Sequence, residues 1–256
     1  MPFWEDTRFR KMKRFFNKWR ISLALLFLIL LLAIGIRLYN LNLIPVFVDE
    51  AIYVRWAQVM RAESTLRFLP LSDGKQPLFM WLVIPFLKLF SDPLLAGRLV
   101  SVTAGLATLI GIFLLAYTLF KSLPAQAGKK VALIAALIYA VSPFSFFFDR
   151  MALADSLLSA FGVWTLFLAL VASRKFRLDF AMLAGFGLGG GALTKSPAIF
   201  YALMLPLSWL LARFPKGKMG KAIHLIKLLG LFLVTLAIGW GLYNILRLGP
   251  NFQMIG

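Results

Sequence analysis

Asp49 and Glu50 stand side by side in the run Pro-Val-Phe-Val-Asp-Glu-Ala-Ile-Tyr, directly after the first long apolar segment. A water-accessible carboxylate can exchange protons. Adjacent carboxylates beside a membrane span are costly to place without a task, although acidic residues also suit the first turn of a helix. Other charges stand at segment ends: Lys75 in Asp-Gly-Lys-Gln-Pro, Arg150 beside Asp149, Asp155 in Met-Ala-Leu-Ala-Asp-Ser-Leu-Leu, and Lys195 in Thr-Lys-Ser. Cations of this kind can receive a phosphate. Each has a structural alternative. Lys75 can anchor a loop to headgroups, Lys195 can snorkel, Arg150 can pair with Asp149, and Asp155 can ease a helix start. His224, the single histidine, reads as a packing or interface residue.

The elements that must hold these residues are membrane helices. The chain is 61% hydrophobic and 15% charged over 256 residues, with a mean hydropathy of +0.85. No globule of that size has interior enough to hide so much apolar surface. The fold class expected is all-α, a polytopic membrane protein. Cysteine is absent, which removes disulfides and thiolate chemistry, and one histidine excludes a multi-histidine metal site. The net charge of +18 sits in short loops between apolar segments. That pattern sets topology and points to anionic headgroups rather than nucleic acid, since no stacking aromatics lie among the basic clusters as a single-strand binder needs.

A basic N-terminus, residues 1–20, is expected to be cytoplasmic and leads into a first span, Ile21 to Tyr39. Residues 40–93 form the first outer loop, with a juxtamembrane helix over Asp49 to Ala62 carrying Ile52, Trp56, Val59 and Met60 on its apolar side. Leu78 to Phe90 is short and contains Pro85, so it reads as interfacial rather than crossing. Residues 94–246 then make the helix bundle, with spans at Leu94–Phe120, Val131–Phe148, Ala152–Ala172, Phe180–Thr194, Ala198–Ala212 and Ala222–Leu246. That gives about seven crossings, and 247–256 is an outer tail. Every basic loop shares the N-terminal side, while Asp49, Glu50, Lys75, Asp155 and Lys195 share the other. The glycine-rich run before Lys195 misses a P-loop by one residue and has no preceding strand, so its glycines read as helix packing.

Taken in order, Asp49-Glu50-Ala-Ile-Tyr53, Lys75-Gln-Pro77 with Trp81, Asp155, Ala192-Leu-Thr-Lys-Ser-Pro197 and Leu248-Gly-Pro-Asn-Phe252 resemble the polytopic GT-C glycosyltransferases of the protein O-mannosyltransferase type, glycosyltransferase family 39-like. The resemblance implies inverting transfer of a sugar from a polyprenyl-phosphate donor to a protein, lipid or glycan acceptor at the outer face of the plasma or inner membrane. It makes Asp49 the base, Glu50 and Asp155 the groups that orient base or acceptor, and Lys75, Lys195 and Arg150 the donor-phosphate contacts. Gly74-Lys75-Gln76-Pro77 stands where relatives often have Lys-Pro-Pro or Glu-Lys-Pro, so no metal ligand is assigned and a divalent cation stays open. Family members are longer, so the chain is expected to be incomplete at its C-terminus. Two other readings remain, a transporter or lipid flippase and a non-catalytic membrane subunit of a glycosylation complex.

Overall fold

The computed structural model describes residues 3–124, 126–210 and 218–250. All regular structure among them is helical: α1 (Phe3–Leu38), α2 (Val48–Ala62), α3 (Leu78–Leu89), α4 (Pro93–Phe120), α5 (Ala127–Val141), α6 (Pro143–Asp149), α7 (Ala154–Lys175), α8 (Leu178–Thr194), α9 (Ile199–Met204), α10 (Leu207–Leu210) and α11 (Lys218–Tyr243), with short 3-10 turns between some of them. In hydrocarbon each backbone N–H and C=O must be satisfied within the protein, which these apolar runs achieve within a single segment as helices.

Four stretches are long and apolar enough to cross a membrane: Trp19–Leu38, Pro93–Phe120, Ala154–Lys175 and Met219–Leu248. A fifth is broken, because α5 and α6 meet at 62°. The break follows from Pro143, whose ring forces the preceding Ser142 into an extended conformation (φ −62°, ψ 122°). The continuous span expected over Val131–Phe148 is therefore bent. The two least regular crossings expected from the sequence fall on the 17-residue α8 and on α9 and α10, which Pro206 separates; residues 211 and 212 lie outside the described residues. α3 has 12 residues, about 18 Å at 1.5 Å per residue, well short of a hydrocarbon core of about 30 Å.

α4 is the central post, packed by α3, α5 and α7, and the bundle continues from α7 to α8 and from α8 to α11. α2 leans on α3 and α4 rather than lying on lipid alone. Its buried side is Tyr53, Val54, Ala57 and Met60, rotated from the Ile52, Trp56, Val59 and Met60 face read from hydropathy, because protein covers it. Along α8, a Cβ on Gly185 or Gly189 would come within 2.7 Å of Ile238 or Leu242 of α11, and one on Gly190 within 2.4 Å of the Phe161 ring of α7. The glycine run is thus a packing surface.

The helix ends sort into two groups. At one end Trp19 meets Tyr117 edge-on at 4.7 Å, the Lys129 ammonium lies 4.3 Å from the Trp19 ring, Arg174 donates to the Thr118 carbonyl, and His224 packs edge-on against Phe176. The described residues of the loops expected to be basic at Lys121–Lys130 and Arg174–Arg177 lie at this end. At the other end Arg37 meets Asp149, Arg98 meets Glu50, Gln76 meets Ser196, and Lys195 meets Asp155.

Candidate active site

Glu50 is fully buried in the first turn of α2 and accepts from four donors. Its own helix supplies one, the Phe47 N–H at 3.1 Å, the reach-back half of a capping box. Arg98 of α4 grips both carboxylate oxygens in a fork, Nε to Oε1 at 2.8 Å and Nη2 to Oε2 at 2.9 Å. The Ala152 N–H adds a bond of 2.7 Å. Arg98 also donates to the carbonyls of Leu41 and Ile44 at 2.7 and 2.9 Å, so one buried ion pair ties the stretch after α1, the start of α2, α4 and the approach to α7. Burial by itself pushes the Glu50 carboxyl up, but the Arg98 hydrogen bonds, those from the Ala152 and Phe47 backbone and the arginine charge outweigh it and hold it below the usual carboxylate range. With every lone pair engaged, Glu50 has the geometry of an anchor and is not open to a substrate.

Asp49, one residue earlier, turns out to the rim, its side chain 45% exposed. Lys75 faces it at 3.7 Å and also pairs with Asp73 at 3.1 Å. The Lys75 ammonium stands 5.4 Å from the Tyr53 ring and 5.5 Å from the Trp56 ring, both on the Asp49 side of α2. The loop reaches this position through Gly74, whose left-handed conformation (φ 67°) ends a 3-10 turn; there glycine carries no steric cost. Burial would lower the Lys75 pKa, but its hydrogen bond to Asp73 and the charges of Tyr53, Asp73 and Asp49 raise it. The ammonium is therefore kept charged.

Asp155 and Lys195 form a second ion pair of 2.8 Å at the same rim, with side chains 38% and 40% exposed. Asp155 opens α7, and Lys195 follows the last turn of α8 in extended backbone. The two lysine loops are joined by Gln76, which donates to Ser196 Oγ at 2.7 Å. Tyr53 lies between the groups. Burial pushes its hydroxyl up, the Lys75 charge pulls it down, and the charges of Asp49, Asp155 and Asp73 all act to raise it. The structure therefore brings Asp49, Lys75, Asp155 and Lys195 to one rim around Tyr53 and turns Glu50 away from it.

Arg150 does not pair with Asp149. Its Nη2 donates to the carbonyls of Tyr39 and Asn40, both at 2.8 Å, closing the end of α1. Asp149 instead pairs with Arg37 of α1 at 2.8 Å, both buried, and accepts from the partly buried Tyr139 at 3.1 Å. Gly105 of α4 makes room for that carboxylate, which would lie 2.2 Å from a Cβ there. Sequence reasoning alone misses Arg37 and Arg98 and gives Tyr53, quoted only as part of a motif, no role. The two arginines carry a signal, since an ionisable residue at the end of an apolar segment needs a buried partner. Among the described residues no cluster of three or more His, Asp or Glu side chains is poised for a metal. A divalent cation at this rim would be shared between one or two carboxylates and a substrate phosphate, a common mode for Mg²⁺.

The family model for dolichyl-phosphate-mannose-protein mannosyltransferases matches residues 74–240, more than half of the chain. The chain belongs to this mannosyltransferase family. Comparison with solved structures supports the fold: the chain is similar to the S. cerevisiae protein O-mannosyltransferase Pmt1–Pmt2 complex bound to the sugar donor, at 16% identity and a TM-score of 0.61. The match covers 91% of the mannosyltransferase-family chain and 34% of the yeast chain, so the chain spans about a third of that relative's length. No curated protein sequence matches it. The all-α, polytopic, GT-C-like architecture expected from the sequence is thereby established, with four to five spans passing on length and composition.

Proposed function

We propose that this chain is the membrane part of an inverting glycosyltransferase that moves a sugar from a polyprenyl-phosphate donor to an acceptor hydroxyl at the outer face of the cell membrane, its N-terminus cytoplasmic. The observation that carries the reading is the pairing, in a chain of this family, of an accessible carboxylate with a lysine at the rim: Asp49 with Lys75 at 3.7 Å, and Asp155 with Lys195 beside them. Asp49 takes the acceptor proton as the hydroxyl oxygen attacks the anomeric carbon from the side opposite the phosphate. The bond from that carbon to the phosphate oxygen breaks, and the polyprenyl phosphate leaves carrying the electron pair. Phosphate is a good leaving group, so cations suffice to receive it. Lys75 and Lys195, each already held beside a carboxylate, are the groups that would exchange part of that pairing for the phosphate. Asp155 orients the acceptor or Lys195, Glu50 acts through Asp49 by fixing its helix turn, and Arg150 supports the site by closing α1. The acceptor is a protein, lipid or glycan hydroxyl.

The test is transfer of radiolabelled mannose from polyprenyl-phosphate mannose to acceptor by the chain in proteoliposomes, within its full-length protein where the gene encodes more. Asp49→Asn is expected to lower the rate by about 10²- to 10⁴-fold, the range contributed by a positioned general base, while membrane insertion is unchanged. Full activity in Asp49→Asn would remove the proposed base. Label accumulating inside the vesicles without acceptor glycosylation would favour transport over transfer.

A further inference from the structure

On the side of α2 opposite Asp49, a cleft of about 600 Å³ opens between that helix and the turn joining α3 to α4. Arg55, Gln58, Arg61 and Ser91 supply its polar wall, and Leu87, Phe90 and Pro93 contribute to its apolar one. Among the described residues no carboxylate lines it. Arg61 is already held, its Nη1 donating to the Leu87 carbonyl at 2.7 Å, which leaves other guanidinium N–H groups to turn into the cleft. Arg55 is exposed and makes no ion pair or hydrogen bond among the described residues. Two guanidinium groups facing one cleft without a counter-charge call for an anion, and a planar fork suits phosphate.

The walls say which kind of anion. Pro93 is the first residue of a membrane-crossing helix, and Leu87 and Phe90 belong to the end of the short apolar helix before it. The cleft therefore sits at the boundary between hydrocarbon and water, where a phosphate arrives attached to glycerol and acyl chains. A free anion would have no use for the apolar wall. We propose that this cleft seats the phosphate of an anionic phospholipid, gripped by Arg55 and Arg61, and that the bound lipid fixes α2 from behind while Asp49 faces the reaction. This site is separate from the sugar-transfer rim and does not depend on the activity proposed for it.

The protein in detergent is equilibrated with phosphatidylglycerol or with phosphatidylcholine, stripped stepwise, and the lipid retained is counted by native mass spectrometry. The wild-type chain is expected to keep phosphatidylglycerol over phosphatidylcholine. Arg55→Gln should weaken that retention several-fold and Arg55→Gln/Arg61→Gln by roughly tenfold or more. Arg61→Gln also removes the tie to α3, so Arg55→Gln, whose residue makes no such tie, is the deciding variant, with an unchanged thermal midpoint as its folding check. Equal retention of phosphatidylglycerol by Arg55→Gln and wild type overturns the proposal. So does displacement of the lipid by millimolar inorganic phosphate, which would make the cleft a free-anion site.

Discussion

Replacing Glu50 by glutamine distinguishes an anchor from a catalyst at the acidic pair. In the folded protein every donor around that carboxylate points at an oxygen: two from Arg98, one from Phe47 and one from Ala152. A glutamine must present an NH₂ in place of one oxygen, so donor faces donor on at least one side, and Arg98 keeps its charge with no counter-ion while fully buried. Removing one partner of such a pair costs about 3–5 kcal/mol, which at 1.4 kcal/mol per tenfold is on the order of hundreds- to thousands-fold in the folding equilibrium. Asp49→Asn, at a half-exposed site, should change stability by about 0.5 kcal/mol or less while lowering transfer by about 10²- to 10⁴-fold. Equilibrium unfolding in mixed micelles with rising SDS, run beside the transfer assay, reads both quantities. Arg98→Gln in the Glu50→Gln background should recover part of the lost stability, since no charge is then stranded, with a coupling of about 1 kcal/mol or more. Were Glu50→Gln to unfold like wild type and still lose transfer as fully as Asp49→Asn, the anchor reading would be wrong and Glu50 would have to meet the substrate.

Three further outcomes follow from the same geometry. Gly105→Ala should destabilise the bundle by roughly 3–5 kcal/mol, because its Cβ would displace the Asp149 carboxylate from Arg37; an unchanged midpoint in the same SDS titration would contradict this. Gln76→Ala removes the bond to Ser196 and should cost about 1 kcal/mol. The loss is expected as a raised KM for the donor with kcat less affected, since Gln76 lies between the two lysine loops. Acid should weaken the α2 anchor in a defined direction: the folded pKa of Glu50 lies below its usual 4.5, so its contribution is present above about pH 4.5 and drains away as pH falls through the folded value. Unfolding midpoints measured from pH 7 down to 3 should show this slope in wild type and a shallower one in Glu50→Gln.

Much of this architecture is legible in the sequence because hydrophobicity and charge act at the scale of whole segments. The long apolar runs mark the main spans, the short Leu78–Phe90 run marks α3, and the placement of Lys and Arg separates the two ends on which the helices converge. Side-chain partnership is less legible, since it depends on neighbours far apart in the chain. Asp49 and Glu50 look equivalent in sequence, yet the helix turns one to the rim and the other onto Arg98, which lies 48 residues away. Arg150 looks like the partner of adjacent Asp149, whereas Arg37, 112 residues away, takes that place. The bend at Ser142 is signalled by Pro143 but masked by the apolar run around it. The convergence of the rim charges is suggested by topology; the Gln76 to Ser196 bond that links the two lysine loops is not.

The Arg98 hub also couples the first span to the neighbouring helices. Through Leu41 and Ile44 it holds the chain leaving α1, and through Glu50, which also accepts from the Ala152 N–H, it holds α2 and the approach to α7. A single-pass anchor could tilt to suit a thicker or thinner bilayer without disturbing its neighbours, at a modest cost per ångström of mismatch. Here a change in tilt of the first span would pull on these carbonyl and carboxylate contacts at the residue next to Asp49, so on the proposed function the transfer rate is expected to vary with lipid chain length.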